Sequence, residues 1–234
     1  RMHDVLDLCL ECKGCKAECP SGVDMAKVKY EFLDAYHEKN GYSLRSRLFA
    51  NIATLSRMGS ALAPISNLVL NARIARWKLD WLLRIDKRRQ LPLFARNTFP
   101  KQFHSRTTVY DRPSKGKVVL FNDTFMNYNQ PSIGLAATKL LERAGFEVTL
   151  ANPKCCGRPL ISKGMLDKAR INAQHNVDLL YPYVEQGVYV VGCEPSCLLT
   201  LRDEYPDLVS GPKPSAVASK TFLLEEFLQK LHKE

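Results

Sequence analysis

The spacing of hydrophobic and polar positions changes partway along the chain. Up to about residue 89 the apolar residues recur at helical intervals, whereas from Lys117 onward short apolar runs alternate with amphipathic stretches. The runs at 118–121, 146–150 and 188–191 have the length and composition of buried parallel strands. The second half therefore predicts an α/β fold, in which helices flank a parallel sheet through right-handed crossovers.

Helices are predicted between these strands and throughout the first half. Asp24 is expected to cap a helix that buries Val28, Phe32 and Ala35 and ends at Gly41. Residues 43–89 predict two or three basic amphipathic helices separated near Gly59 and Pro64, and residues 90–116, which contain Pro92, Pro100 and Pro113, predict a linker. In the second half, helices are expected at 133–144, 165–183, 196–205 and 219–233.

The net charge of +10 is concentrated in the middle of the 234 residues. Residues 1–40 carry 6 basic and 8 acidic side chains, residues 41–112 carry 14 and 3, and residues 113–234 carry 14 and 13. Such an excess is typical of nucleic-acid or membrane-surface partners, but no motif that reads nucleic acid accompanies it. No apolar run approaches the roughly 18 residues of a transmembrane helix. Nucleic acid is therefore not an expected partner.

Four of the eight cysteines lie within eleven residues near the start of the chain. Cys9, Cys12, Cys15 and Cys19 are spaced C-x2-C-x2-C-x3-C and are followed by Pro20. This is the bacterial ferredoxin spacing for a [4Fe–4S] cluster, although four thiolates would also suit tetrahedral zinc. In two-cluster ferredoxins the fourth cysteine ligates the other cluster. The segment 1–40 is therefore expected to be half of a two-cluster domain, with its matching run upstream.

The other four cysteines follow two predicted strands. Cys155 and Cys156 precede Gly157, and Cys193 and Cys197 come after the next strand. Open α/β sheets bind ligands at the carboxyl ends of their strands, so these four sulfurs are expected at one edge of the sheet as further metal ligands. Free cysteines that simply fill a core are the alternative.

Together the two cysteine motifs give the chain a family resemblance. It resembles the iron–sulfur part of FAD-linked 2-hydroxy-acid oxidoreductases of the glycolate oxidase and respiratory D-lactate dehydrogenase type, whose Cys-Cys-Gly domain is shared with heterodisulfide reductase. The stretches that carry the resemblance are residues 8–20, 121–125, 155–160 and 194–202. It implies three domains, at 1–40, 41–112 and 113–234, and a chain truncated at both ends.

The chain departs from the family pattern at two cysteine positions. Asp123 stands where the family has a cysteine ahead of the Cys-Cys pair. Glu194 stands where the other member of a C-x2-C pair with Cys197 belongs, and Cys193 is displaced by one residue. The family usually has two copies of the domain, so a second cysteine-rich half is expected after this one.

The resemblance implies an electron-transfer role in the cytoplasm. FAD in a flavin domain outside this chain would oxidise a lactate-like 2-hydroxy acid, and the clusters would pass the electrons toward a quinone or another acceptor. Lys13 and Lys16, beside the first cluster, are expected to be solvated and to tune it weakly. A thiol–disulfide module that uses Cys155, Cys156 and Cys197, with Arg158 lowering a thiol pKa, is the alternative mechanism.

A binding module is the third possible function. The basic region contains Trp77, Trp81, Leu82 and Leu83, and such a combination can dock on an anionic membrane surface. We expect the basic helical face to pack on the flavin domain instead. Membrane docking would place the chain at the inner face of the cytoplasmic membrane, near quinone.

Overall fold

The sheet that the sequence predicts is present and contains one strand more than expected. The computed structural model describes residues 2–106 and 114–233. Its strands are β1 (Gly116–Leu120), β2 (Phe146–Leu150), β3 (Tyr189–Gly192) and β4 (Thr221–Leu223). They are parallel throughout, in the order β2-β1-β3-β4, and Val118 of β1 pairs with Val148 and Tyr189. The α/β fold class is confirmed.

Helices make up most of the remaining described chain. Those that precede the sheet are α1 (Met2–Asp7), α2 (Gly14–Glu18), α3 (Met25–Asn40), α4 (Leu44–Ala50), α5 (Ile52–Ala61), α6 (Ile65–Asn71), α7 (Arg73–Leu83) and α8 (Phe99–Ser105). Those within the α/β half are α9 (Thr124–Tyr128), α10 (Pro131–Arg143), α11 (Arg158–Ile161), α12 (Leu166–Glu185), α13 (Pro195–Leu199), α14 (Tyr205–Leu208), α15 (Lys213–Ser219) and α16 (Leu224–Lys233). A π-helical turn, Thr200–Glu204, joins α13 to α14. None of these helices combines the length and hydropathy needed to cross a bilayer.

The sheet separates two hydrophobic cores. Because side chains alternate along a strand, Val119 of β1 and Phe121 just beyond it face the core formed with α12, α13, α14 and α15. Val118 and Leu120 face the core formed with α8, α10 and α16. The cysteine-bearing loops therefore leave a sheet whose position is fixed by packing on both faces.

The predicted linker contains a helix that belongs to the second core. Phe99 of α8 is fully buried, and it packs with Phe103 against the sheet. The proline at 100 lies in the first turn of α8, where its missing N–H costs no hydrogen bond, so the expectation of a loop there was wrong. The remaining linker proline, Pro113, lies outside the described residues. The three domain boundaries stay a prediction.

The first half is helical, as predicted, but its details differ. The basic region forms the four helices α4 to α7, and Gly59 lies inside α5 instead of breaking it. A Cβ at Gly59 would come within 2.4 Å of the Phe94 ring, so glycine permits this close packing. Asp24 does cap α3, and the helix ends at Gly41.

The face of α3 that is buried is not the one predicted. Ala26, Lys29, Tyr30 and Leu33 are buried, whereas Val28 is exposed. The apolar residues at 28, 32 and 35 form a plausible stripe, but the helix is rotated so that Lys29 can reach the cysteine segment before it. Ala26, Tyr30 and Leu33 also recur at helical intervals, and theirs is the apolar face that packs on the α/β half.

The predicted helix at 219–233 is divided in the structure. Helix α15 ends at Ser219, β4 pairs Thr221 with Val190 of β3, and α16 begins at Leu224. Three strand residues are too few to show a period of two, which is why the sequence did not reveal β4.

Candidate functional site

The first cysteine loop, residues 9–19, is an open turn around a short helix. Glu11 and Lys13 both adopt positive φ angles, of 56° and 59°, and so bend the backbone between the cysteines. Helix α2 then begins at Gly14 and ends before Cys19. The four thiols therefore do not lie along one face of a continuous buried helix.

Two of the four thiols of this loop are exposed, and the other two receive backbone N–H groups. Cys12 and Cys15 are exposed, and Cys9 and Cys19 are partly buried. The N–H of Glu11 donates to Cys9 Sγ at 3.4 Å. Hydrogen bonds from the backbone of residues 23, 21 and 22 lower the pKa of Cys19. N–H donors stabilise a thiolate, which is the form that binds metal.

The Cys-Cys-Gly loop, residues 153–157, follows β2 and is held by hydrogen bonds from side chains of α12 and α14. Asn176 of α12 accepts from the N–H of Lys154 at 2.9 Å and donates to its carbonyl at 3.1 Å. The Tyr205 hydroxyl donates to the Cys156 carbonyl at 3.0 Å, and Asn172 donates to the Cys155 carbonyl at 3.2 Å. The two amides and the phenol, of which Asn176 and Tyr205 are buried, determine the position of both sulfurs.

The thiols of three of the four later cysteines, Cys155, Cys156 and Cys197, lie together at this loop. The Cys156 thiol hydrogen-bonds with both Cys155 and Cys197. Cys193 instead packs against the core on the opposite face of the sheet. The expectation of four sulfurs meeting at one edge was therefore wrong for Cys193. The reason is geometric, since Cys193 directly follows β3, whereas Cys197 lies one turn further along α13.

These thiols are held protonated. The hydrogen bond from Cys156, together with burial, raises the pKa of Cys155. The pKa of Cys156 rises although its bond to Cys155 lowers it, because the bond to Cys197 and full burial act more strongly in the other direction. Burial also raises the pKa of Cys193 to about 11. Arg158 lowers the pKa of Cys156 through its backbone N–H, while its guanidinium pairs with Glu204 and Glu11.

Carboxylates cap helices at the two positions where the family pattern has cysteines. Asp123 accepts from the N–H groups of Phe125 and Met126 at 2.8 and 3.0 Å, at the start of α9. Glu194 accepts from the N–H of Ser196 at 3.3 Å and begins α13. Burial raises the pKa of Asp123, and the nearby charge of Glu194 adds to this. Both residues serve the backbone as N-caps.

A charge network joins the first cysteine loop to the Cys-Cys-Gly loop. It consists of Glu11, Lys13, Lys29, Arg158 and Glu204. Glu204, which is 3% exposed, accepts from Lys13 and from Arg158, each at 2.7 Å. Arg158 also lies 3.3 Å from the Glu11 carboxylate and donates to its carbonyl at 3.2 Å. Lys29 lies 3.3 Å from the Glu11 carboxylate and donates to the Cys9 carbonyl at 2.7 Å.

This network corrects the expectation that Lys13 would be solvated. Burial alone would lower the pKa of Lys13, but hydrogen bonds and charge from Glu204 and Asp203 raise it above its usual range. Lys16, at 3.5 Å from Asp24, is the more exposed of the two lysines. The π-helical turn places Glu204 between the first cysteine loop and the Cys-Cys-Gly loop, and such turns are frequent at functional sites.

The four thiols of the first loop fit an iron–sulfur cluster in their chemistry but not in their arrangement. Their type, spacing and N–H donors are those of cluster-binding loops. Among residues 2–106 and 114–233, however, no three Cys, His, Asp or Glu side chains are arranged so that they could coordinate one metal ion. Cluster ligation by these residues therefore remains a proposal.

The class of the second half follows from a comparison with protein families. Residues 119–202 match the family model of the CCG cysteine-rich domain. The match begins at the end of β1 and includes the Cys-Cys-Gly loop and the three clustered sulfurs. This part of the chain is a CCG cysteine-rich domain.

Curated relatives identify the wider family. The chain is 35% identical over 170 residues to a subunit of the anaerobic glycerol-3-phosphate dehydrogenase of Escherichia coli K12, a match that covers 72% of this chain and 43% of that protein. It is 24% identical over 216 residues to D-2-hydroxyglutarate dehydrogenase of the same organism, covering 87% of this chain and 21% of that enzyme. It is 34% identical over 117 residues to lactate utilization protein A of Exiguobacterium, covering 47% and 46%.

These matches confirm the resemblance drawn from the sequence. Besides its CCG cysteine-rich domain, the chain is similar to one dehydrogenase subunit, one dehydrogenase and one lactate utilization protein. It spans less than half the length of each of these three relatives. No solved structure matches it significantly.

Sequence reasoning found the cysteines but missed the groups that position them. Asn172 and Asn176 occur four residues apart on a predicted helix, a spacing that puts both on one face. This four-residue spacing is the feature of the sequence that could have pointed to the two asparagines. Nothing in the sequence marks Glu11 and Glu204 as partners, because 193 residues separate them and only the folded chain brings them together.

Proposed function

We propose that this chain is the iron–sulfur electron-transfer portion of a FAD-linked 2-hydroxy-acid dehydrogenase. In this role it accepts electrons from a flavin-containing partner and passes them toward a quinone or another acceptor in the cytoplasm. The observation that carries the proposal is the charge network, which couples the first cysteine loop to the CCG domain across an interface of 2.7–3.3 Å contacts. A redox relay needs its two centres to be held at a fixed separation.

The first cysteine loop is the proposed cluster site. Cys9, Cys12, Cys15 and Cys19 would provide the ligands, with zinc as the competing metal. A bound cluster would supply one-electron transfer. The chain's own contribution is to donate N–H groups to sulfur and to place the Lys13 ammonium beside the loop, where positive charge favours the reduced state of a bound centre. Metal binding commonly completes the folding of such a loop, which accounts for sulfurs that do not converge here.

Cys155, Cys156 and Cys197 are the proposed ligands of a second centre, and Cys193 is a weaker candidate because it lies apart. Buried protonated thiols do not favour the alternative thiol–disulfide module, since the thiolate is the nucleophile. Metal coordination, by contrast, displaces the proton and keeps the sulfur buried.

Anaerobic reconstitution with iron and sulfide tests the proposal. We expect the chain to bind both elements and to give an EPR signal after reduction with dithionite. A double variant, Cys12→Ser with Cys15→Ser, should lose the signal of the first site, whereas Ser21→Ala, a neighbouring change without a thiol, should keep it. A reconstituted chain that contains no iron contradicts the proposal, and so does a double variant whose iron content and EPR signal both equal those of the unchanged chain.

A second candidate function is docking on an anionic membrane surface. Helices α6 and α7 expose large apolar side chains, and Leu68, Ile74, Trp77 and Trp81 are 60–77% exposed. Arg73, Arg76 and Lys87 line a cavity beside Trp77. Exposed tryptophan among cations is the pattern of proteins that bind the lipid interface. A flavin-containing partner is the other surface that this face would fit.

Co-sedimentation with liposomes separates these two partners. Binding that requires anionic lipid and weakens when Trp77 and Trp81 are both changed to serine supports membrane docking. Sedimentation that is unaffected by lipid charge, or equal in the double variant, excludes it and leaves the flavin-containing partner as the occupant. Phe125→Ser, which changes an exposed aromatic residue in the α/β half, is the matched control.

A further inference from the structure

A cavity of about 460 Å³ opens on the side of the Cys-Cys-Gly loop that faces α5. Its walls come from α5, from the loops after β1 and β2, and from α12. Parallel α/β sheets place ligands beyond the carboxyl ends of their strands, and this volume lies within the usual range of small-molecule sites. Neither the first cysteine loop nor the charge network takes part in it.

Three cations from three separate segments line this cavity. They are Arg57 of α5, Lys154 of the Cys-Cys-Gly loop and Lys168 of α12. Within the described chain, none of their side chains makes an ion pair or a hydrogen bond, although many other cations of the same chain do. Three unpaired positive charges around one concave surface produce a local field that attracts anions.

The lining between the cations is polar and fixed in place. Asn122, which is 2% exposed, accepts from the N–H of Asn152 at 3.2 Å and donates to Asn127 at 3.0 Å. Asn172 lines the same wall while it anchors the Cys155 carbonyl. The acid on this lining is Asp123, and its carboxylate already accepts from two backbone N–H groups. The cavity thus combines positive charge with rigid amides and has little opposing charge.

We propose that this cavity is a binding site for a small organic anion that carries carboxylate or phosphate groups. Arg57 and Lys168, on opposite helices, pair with the charged groups, and Asn172 hydrogen-bonds to the body of the ligand. The anion lies beside Cys155, one wall of the cavity. Binding uses side chains of this chain alone and needs no metal, so it stands or fails separately from the electron-transfer role.

Calorimetric titration of the chain at low ionic strength tests the proposal. The probes are succinate for carboxylates, inorganic phosphate for phosphates, and neutral succinamide as the uncharged counterpart of succinate. We expect succinate or phosphate to bind, added salt to weaken that binding, and succinamide not to bind. The anion that binds more tightly identifies the class of ligand.

Two double variants assign the binding to this cavity. Arg57→Gln with Lys168→Gln should weaken it by about tenfold or more, because hydrogen bonds to charged groups are the stronger ones. Lys139→Gln with Arg143→Gln removes the same charges from the exposed face of α10 and should leave binding unchanged. The proposal is overturned if neither anion binds, if succinamide binds as tightly as succinate, or if both double variants weaken binding equally.

Discussion

Cys12 and Cys15 stand in solvent on the first cysteine loop, whereas Cys156 and Cys197 are buried beneath the Cys-Cys-Gly loop. In the first loop backbone N–H groups donate to the sulfurs of Cys9 and Cys19, whereas the second loop surrounds its sulfurs with other thiols and an apolar core. Sulfur therefore occurs in two electrostatic settings within one chain. The first setting lowers the pKa of Cys19, and the second raises the pKa of Cys156 and Cys197.

The difference predicts how each of the two cysteine sites would bind a metal ion. An exposed loop with N–H donors has already lowered the cost of a thiolate, so it can capture a metal from solution. The buried site must release protons into a medium that disfavours charge, so metal binding there is more strongly dependent on pH. The charge network lies between the two sites and contacts both loops.

The largest expected effect is a contrast in thiol reactivity between Cys19 and Cys193, which are both partly buried. The pKa of Cys19 lies below the ordinary value of 9.0, and that of Cys193 is about 11. At pH 8 the thiolate of Cys193 is at least about 100-fold scarcer, and its greater intrinsic nucleophilicity offsets part of this. We therefore expect iodoacetamide to modify Cys19 about tenfold or more faster in the metal-free chain.

Peptide mass spectrometry over a time course measures both rates in one sample. Unfolding in guanidinium provides the control, because the two rates should become similar once the local environments are lost. Equal rates in the folded chain would falsify the pKa difference between Cys19 and Cys193.

The second effect concerns Glu204, the acceptor shared by Lys13 and Arg158. Glu204→Gln leaves two cations without their buried counterion, and breaking a buried pair of this kind costs up to about 3–5 kcal/mol. Because Lys13 and Arg158 keep 20% of their side-chain exposure, we expect a loss of about 2–3 kcal/mol in the free energy of unfolding. Urea denaturation measures it.

Asp203→Asn is the matched control for this variant. Asp203 also accepts from Lys13, at 3.0 Å, but its side chain is 41% exposed. An exposed pair contributes about 0–1 kcal/mol. A loss for Glu204→Gln no greater than that for Asp203→Asn would show that the network does not join the two loops.

Features of the fold that depend on neighbouring residues could be predicted from the sequence, whereas features that depend on contacts between distant residues could not. Strand 146–150 and the cap at Asp24 follow from local patterns, and the structure confirms both. Helix α3 has two apolar stripes, and its buried one is selected by distant contacts, of Tyr30 with the α/β half and of Lys29 with Glu11 and Cys9. The cysteines of the site could be found from spacing alone. Glu204 and the asymmetric placement of Cys193 required the assembled sheet.

The third effect concerns packing of α3 against the α/β half. Gly164 has a φ of +62°, and an added Cβ would lie 2.6 Å from the backbone of Leu33 and Asp34. Gly164→Ala therefore adds a clash with backbone to the strain of a left-handed alanine, and we expect a loss of about 2 kcal/mol or more. Gly187→Ala isolates the strain, because Gly187 has a φ of +82° and open space around it.

The Gly187→Ala control should lose only about 1 kcal/mol by urea denaturation. The difference between the two variants is the cost of the clash. If the two losses are equal, the close approach of α3 to residue 164 contributes nothing to the free energy of unfolding.

The smallest effect concerns Asp24, which caps α3 directly after the first cysteine loop. It accepts from the N–H of Lys27 at 3.1 Å, so Asp24→Ala should lose about 1 kcal/mol at pH 7. Burial opposes the shift, but the Lys27 N–H and the charges of Lys13 and Lys16 lower the pKa of Asp24 below 3.8. A lowered carboxyl pKa contributes stability that is complete well above 3.8 and is lost as the pH falls through the folded value.

Asp24→Asn separates the cap from the charge, because asparagine caps a helix about as well but does not titrate. We expect its deficit to wild type to be present at pH 7 and to shrink as the pH falls below 3.8, measured by urea denaturation across that range. A deficit that stays constant with pH would mean that the charge of Asp24 contributes nothing. Asp24 would then stabilise α3 only through the hydrogen bond that it accepts from the Lys27 N–H.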